Sequence, residues 1–380
     1  MSGRTTCRRF YSSLITHHPS LFMRILIVKL GSIGDIVHTL PSLAAIRRAL
    51  PRAEISWVVE RRAAEILRDN QILDRLIEVD TKALRRWPVS GETLLAPRQQ
   101  LRRLRASTFD TALDFQGLLK SASIARLSGA KRSYGFAREA LREPPSRFLL
   151  SKTVRVPLRS HVIIKNLALV KGALGIPVPS DPAEFEFPIS TTFAHEREAD
   201  EASAGVDERF AILNPGGGWP TKLWSAERFG TLADELWEHH GLSSLITYGP
   251  GEHELAETVL RASRSGRARA VSPSLKGFYA LAKRASLYVG GDTGPTHLAV
   301  AAGAPVAGLF GPTEWWRNGS PRVEDICIER NDIGCRVDCH RRSCSQWICM
   351  DISVEQVLHF AGERLRRAGQ FERTESKTVA

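Results

Sequence analysis

Short apolar runs alternate with amphipathic stretches along this chain, and the alternation occurs twice. Arg24-Ile-Leu-Ile-Val-Lys29 reads as a buried strand, and Pro41 to Leu50 as a helix with its proline in the first turn, where a missing N–H costs nothing. Ile55–Val59, Leu76–Val79 and Thr111–Phe115 read as further strands, with Ala63–Asp69 and Leu101–Ser107 helical between them. From about 126 to 188 the pattern lapses into Pro- and Arg-rich loops with one helix, His161–Leu174, and then a linker near 185–205. It restarts at Phe210-Ala-Ile-Leu213. Strands follow at Leu245–Tyr248, Leu287–Val289 and Val306–Phe310, with helices at Ser225–His239, Glu252–Arg264 and Pro295–Ala302. Strand–helix alternation requires a parallel sheet with crossover helices. The expected organisation is therefore two α/β units, 23–188 and 189–352, then a last helix from Val354 within 353–380.

A length of 380 residues suits two cores of ordinary size. No apolar run reaches the length of a transmembrane helix. The formal net charge of +12 calls for an anionic partner. The first 22 residues carry Arg4, Arg8 and Arg9 and no acid. They read either as a disordered extension or as residues ahead of a true start at Met23, the alternative being an organellar transit segment. Six unevenly spaced cysteines fit a reducing compartment.

In open α/β sheets ligands bind beyond the carboxyl ends of the strands. Three loops at such positions stand out. In Lys29-Leu-Gly-Ser-Ile-Gly-Asp35, Gly31 and Gly34 permit a tight turn and close approach to a ligand. Asp35 is there either to take a proton from an acceptor hydroxyl or to act as a helix N-cap. In Asn214-Pro-Gly-Gly-Gly-Trp-Pro-Thr-Lys222, the amides of Gly216 and Gly217 suit phosphate oxygens and Lys222 suits a diphosphate. In Gly290-Gly-Asp-Thr-Gly-Pro-Thr-His297, a helix opening beside Pro295 and capped by Asp292 or Thr293 offers an anion site at its N-terminus. Neither the dinucleotide fingerprint nor the P-loop spacing is present.

These segments, with Trp57-Val-Val-Glu60 and Asp114-Phe-Gln-Gly-Leu-Leu-Lys120, resemble glycosyltransferase family 9, which includes the lipopolysaccharide heptosyltransferases. The resemblance runs over about residues 23–365. Its Gly-Asp-Ile-Val-His-Thr-Leu-Pro and Gln-Gly-Leu-Leu-Lys stretches favour the branch that adds the first heptose over the one that adds the second. It implies a GT-B fold, two Rossmann-like domains facing a cleft. The first would hold a Kdo residue of Kdo-lipid A, and the second ADP-heptose. Transfer would be inverting, with no cofactor and no metal. Asp35 matches the general base, and Lys222, Asp292, Thr293, Gly294 and His297 match the donor site. A donor-side glutamate falls on Glu252 or Glu254, and the final helix would cross back onto the first domain. Ser32, Gly34, Arg61, Lys120 and Arg138 are the expected acceptor-side residues, Arg138 because Ala137-Arg-Glu139 resembles an acceptor-side segment of the family.

Between Arg126 and Arg159 stand nine Arg or Lys and two acids, Glu139 and Glu143. Arginine captures carboxylates and phosphates bidentately, so this stretch suits an anionic acceptor or the cytoplasmic face of an inner membrane. Nucleic acid fits poorly, because the stretch lacks interleaved stacking aromatics. Cys335, Cys339, Cys344 and Cys349, with His340 nearby, admit a structural metal or simply free and packed thiols. Two alternatives remain open at this level. One is a family member with another donor or acceptor, such as the second heptosyltransferase. The other is a non-catalytic nucleotide-sugar binder.

Overall fold

The computed structural model describes residues 22–80, 104–105, 107–337 and 339–378, without side chains beyond 369. Residues 1–21 and most of the segment expected to be helical at 101–107 lie outside the described residues.

The first sheet is parallel, in the order β3-β2-β1-β4-β5-β6. Its strands are β1 (Arg24–Val28), β2 (Glu54–Glu60), β3 (Arg75–Val79), β4 (Thr111–Asp114), β5 (Arg132–Phe136) and β6 (Lys152–Val154). The second sheet is β7 (Phe210–Asn214), β8 (Ser243–Thr247), β9 (Ala268–Val271), β10 (Leu287–Gly291), β11 (Val306–Leu309) and β12 (Ile326–Ile328). Its order, β12-β11-β10-β7-β8-β9, is the same doubly wound order repeated. The fold is α/β of the GT-B type, as expected. Each sheet reverses direction next to its first strand, at β1/β4 and at β7/β10. Those two switch points are where ligands bind in such sheets.

Three expectations are corrected. The stretch 126–188 was expected to be loops around one helix, yet it supplies β5 and β6. These strands pair with β4 and with each other at the sheet edge. Edge strands have no second neighbour to bury them, and β6 is mostly exposed, so it shows no apolar run. The expected linker contains helix α5, and the final helix packs on the second domain rather than the first. The helices are α1 (Ile33–Val37), α2 (Leu40–Ala49), α3 (Leu119–Leu127), α4 (Val162–Leu174), α5 (Phe193–Ser203), α6 (Ala226–His240), α7 (His253–Ala262), α8 (Leu275–Ala282), α9 (Gly294–Ala302), α10 (Trp315–Asn318) and α11 (Val354–Thr378). Val357 and Ala361 of α11 join the core of the second domain, and the helix lies against α6, β10, β11 and β12. Its apolar stripe meets an apolar face there, and burial of that stripe sets the docking.

The two domains touch directly. The Cβ of Ile33 fills the space that a side chain on Gly294 would need, and the His297 ring covers Gly34 in the same way. Lys276 on α8 donates its backbone N–H to Glu65 at 3.1 Å and its ammonium to the carbonyl of Arg68. Helices α1 and α9 thereby meet with the first turn of each at the cleft.

Candidate active site

At the first switch point, β1 is followed by Lys29, a residue only 4% exposed. Its Nζ donates to the carbonyl of Phe115 at 3.0 Å and lies 3.3 Å from Asp35 Oδ1. Ser32 is the N-cap of α1 and Asp35 the third residue of the helix, so Asp35 completes a capping box rather than being the cap itself. Its Oδ2 accepts from the Ser32 amide at 2.9 Å and the Ser32 hydroxyl at 3.2 Å. Oδ1 faces the Lys29 ammonium. The Asp35 side chain is 39% exposed. Burial of the surrounding cleft raises its pKa, but Lys29 and the Ser32 bonds outweigh that and hold it below the ordinary carboxylate value. The group is ionised at neutral pH and open toward the cleft.

Separate stretches of sequence converge on this pair. Trp57 Nε1 donates to the Lys29 carbonyl at 3.0 Å. Gln116 Oε1 accepts from the Leu30 amide at 3.2 Å. Asp114, fully buried with its pKa pushed up to about 6 by burial, turns the loop by accepting the amides of Gln116 and Gly117. Glu60 holds Lys120 at 2.6 Å and Arg62 at 3.0 Å. Arg61 reaches Glu78 at 3.9 Å from an exposed position. Arg138 is exposed on the same domain.

At the second switch point a different pair forms. Lys222 Nζ lies 2.5 Å from Asp292 Oδ2 and donates to the Asp292 carbonyl at 3.1 Å. Asp292 Oδ1 accepts from Asn318 Nδ2 at 2.6 Å and lies 3.3 Å from His297 Nε2. Burial opposes the charge of Asp292, yet His297 and Lys222 hold its pKa far below the ordinary value. Thr293 is the N-cap of α9, without a side-chain cap bond, and Gly294 and Pro295 are the first two helical residues. The amides of that first turn therefore keep their anion-binding capacity. Of the two candidate glutamates, Glu252 is the one at the glycine loop. Its carboxylate accepts from the Gly249 amide at 2.8 Å and occupies the space that a Cβ on Gly216 would need. Glu254 is exposed on α7. A groove of about 800 Å³ opens beside Gly217, Glu252 and Trp347, within the size range of small-molecule sites.

The cysteine-rich segment braces this loop. Trp347 Nε1 donates to the Thr221 carbonyl at 2.9 Å, and the Thr221 hydroxyl donates to the Arg341 carbonyl at 2.7 Å. Lys222 and Arg342 both stack on Trp219, at 4.3 and 5.1 Å from the ring centroid. Cys335, Cys339, Cys344 and Cys349 are free thiols, and among the described residues no group of three or more potential ligands gathers to hold a metal.

The sequence model described as glycosyltransferase family 9 (heptosyltransferase) matches residues 98–347. The chain belongs to this family. Lipopolysaccharide heptosyltransferase 1 of Pseudomonas aeruginosa is 32% identical over 85% of this chain and 88% of its own length. The protein of that name in Escherichia coli K12 is 30% identical over 77% of this chain and 89% of its own. The solved structure of E. coli heptosyltransferase WaaC with ADP-2-deoxy-2-fluoro heptose superposes with a TM-score of 0.71 at 23% identity, covering 90% of this chain and 99% of that one. The fold is shared and the chain is a glycosyltransferase of the heptosyltransferase family.

In this family 9 enzyme the residues singled out from sequence fall into three groups. Asp35, Ser32, Lys222, Glu252, Asp292, Thr293 and His297 gather at the two switch points. Gly34 and Gly294 serve the contact between domains, each accommodating a side chain of the other domain. Arg61, Lys120 and Arg138 lie on the first domain outside the Asp35 turn. Sequence reading assigned no role to Lys29, His161 or Asn318. A lysine closing an otherwise apolar strand was the one available signal for Lys29. Asn318 reaches the site from 26 positions beyond Asp292 and carries no local signal.

Proposed function

We propose that this enzyme transfers heptose from ADP-heptose to a Kdo residue of Kdo-lipid A in a single inverting displacement, with Asp35 as general base. The supporting observation is the pairing of an open, ionised carboxylate at one switch point with a lysine and a helix N-terminus at the facing one. An acceptor hydroxyl near Asp35 gives its proton to the carboxylate as its oxygen attacks the anomeric carbon. The bond from that carbon to the diphosphate breaks, and ADP leaves carrying the electron pair. Lys222 and the amides opening α9 stabilise the departing diphosphate. Asp292 and Glu252 are proposed partners for sugar hydroxyls of the donor. Gly216 and Gly217 line the donor side, and no metal takes part. Contact between α1 and α9 keeps water from the donor.

The basic residues of the first domain, Arg61, Lys120 and Arg138 among them, supply the charge complement to an anionic lipid acceptor. We further propose peripheral attachment to the cytoplasmic face of the inner membrane. Among the described residues no helix is long and apolar enough to cross a membrane. The domain boundary is proposed at 188/189, with the tail after 353 belonging to the second domain.

Transfer of labelled sugar from ADP-heptose to Kdo-lipid A, run with and without EDTA, tests the reading. Transfer unchanged by EDTA is expected. Loss on chelation would sink the metal-free mechanism. Transfer only from another nucleotide sugar, or only to another acceptor, would move the function elsewhere in the family.

A further inference from the structure

The short helix α10 is tied to both domains. At its end, Asn318 donates to Asp292 Oδ1 at 2.6 Å. The next carbonyl, that of Gly319, lies 3.0 Å from Nε2 of His161, a residue of the first domain. His161 is the N-cap of α4, and its Nδ1 accepts from the Ile163 amide at 3.2 Å. A neutral imidazole carries one N–H, so an accepting Nδ1 puts the proton on Nε2, which then donates to Gly319. Burial pushes the His161 pKa down to about 4 and keeps the ring neutral at neutral pH. The turn itself is closely packed. A Cβ on Gly319 would overlap the Trp315 ring, and Trp315 packs edge-on against Phe310 at 4.9 Å. Arg159, also of the first domain, lies 5.7 Å over the Trp316 ring.

A carboxylate offers about four acceptor directions. Lys222, His297 and Asn318 occupy three of them on Asp292 and fix its plane. The remaining direction is then presented at one angle. We propose that Asn318 is a positioning residue for Asp292, and that His161, through the Gly319 carbonyl, makes that positioning depend on contact between the domains. The nucleotide-sugar site is thereby sensitive to a residue of the other domain. This rests on the reading of Asp292 as a partner of the donor sugar.

Calorimetric binding of ADP-heptose and of ADP to the full chain tests the proposal with three variants. His161→Asn keeps an N-cap acceptor but is too short to reach Gly319. His161→Gln keeps a donor near the Nε2 position. Asn318→Ala removes the bond to Asp292. Asn318→Ala and His161→Asn are each expected to weaken ADP-heptose binding about tenfold, while ADP binding changes by less than about twofold. His161→Gln is expected to stay near wild type, and the double variant to be no weaker than the worse single one. A purely structural role would lower thermal stability without separating ADP-heptose from ADP. Wild-type affinity in folded His161→Asn, equal losses for the two ligands, or fully additive losses would overturn the proposal. If Asn318→Ala does not fold, His161→Asn carries the test alone. A wild type that binds a different nucleotide sugar takes the same variants with that sugar. A wild type that binds ADP but no nucleotide sugar removes the donor-sugar reading and this proposal together.

Discussion

Both halves of the molecule set a lysine beside an aspartate at the switch point of a sheet with the same strand order, and the two pairs differ in how far they are closed. Lys29 and Asp35 are 3.3 Å apart, with the Asp35 side chain 39% exposed. Lys222 and Asp292 are 2.5 Å apart, 12% and 6% exposed, with Asn318 and His297 completing the carboxylate. The same residue types therefore suit different tasks. A proton acceptor needs a free lone pair facing the substrate and only a moderately lowered pKa. A carboxylate that orients a lysine and a sugar needs its geometry fixed, which several donors in a low-dielectric site provide.

The largest expected effect comes from the open pair. Asp35→Asn should lower kcat by roughly 10²- to 10⁴-fold while ADP-heptose binding stays within about twofold. Full activity in that variant would remove the base assignment and, with it, the contrast. The closed pair should fail differently. Lys222→Met leaves the buried Asp292 charge without its ammonium, a loss of about 3–5 kcal/mol for a broken buried pair. It should lower the melting temperature and weaken nucleotide-sugar binding together. A variant that melts like wild type would show that the pair is not held as tightly as its geometry requires.

Gly34→Ala probes the contact between the two pairs. The added methyl overlaps the His297 ring, which must shift at a cost of about 1–3 kcal/mol. The expected result is a lower kcat/KM with each ligand's separate affinity little changed. Unaltered kinetics would mean that α1 and α9 do not need this close approach. The smallest effect is on pH dependence. Asp35 must be ionised to accept a proton, so activity falls as pH drops through its pKa. Lys29 is the first of the influences that lower that pKa, against the burial that raises it. Wild-type kcat/KM should therefore hold to below the ordinary carboxylate range, and Lys29→Met should move the acid limb upward. An acid limb at the same pH in both would show that Lys29 does not set the base.

The fold was legible wherever strands are buried on both faces. β1, β2, β7 and β10 are almost fully buried and appear in the sequence as continuous apolar runs. β5, β6, β9 and β12 escaped notice because they are three to five residues long and mix polar with apolar residues. The last helix was recognised, but its docking face was not. An amphipathic stripe states that a helix is covered and not by what.

The candidate site divides along the same line. Asp35, Lys222 and the Asp292–His297 turn each lie in a glycine-bearing loop directly after a strand, and a local pattern of that kind can be read from sequence. Lys222 on Asp292, Asn318 on Asp292, His161 on Gly319 and the His297 ring over Gly34 depend on how crossovers return and how two domains meet. The sequence by itself determined two strand–helix series and which loops follow their strands, because hydrophobic periodicity and turn chemistry act over a few residues. Only the tertiary structure decided which lysine is closed onto its carboxylate and which carboxylate stays open. Burial and hydrogen bonding there are set by residues from 26 to 158 positions apart, brought together by packing that no local pattern encodes.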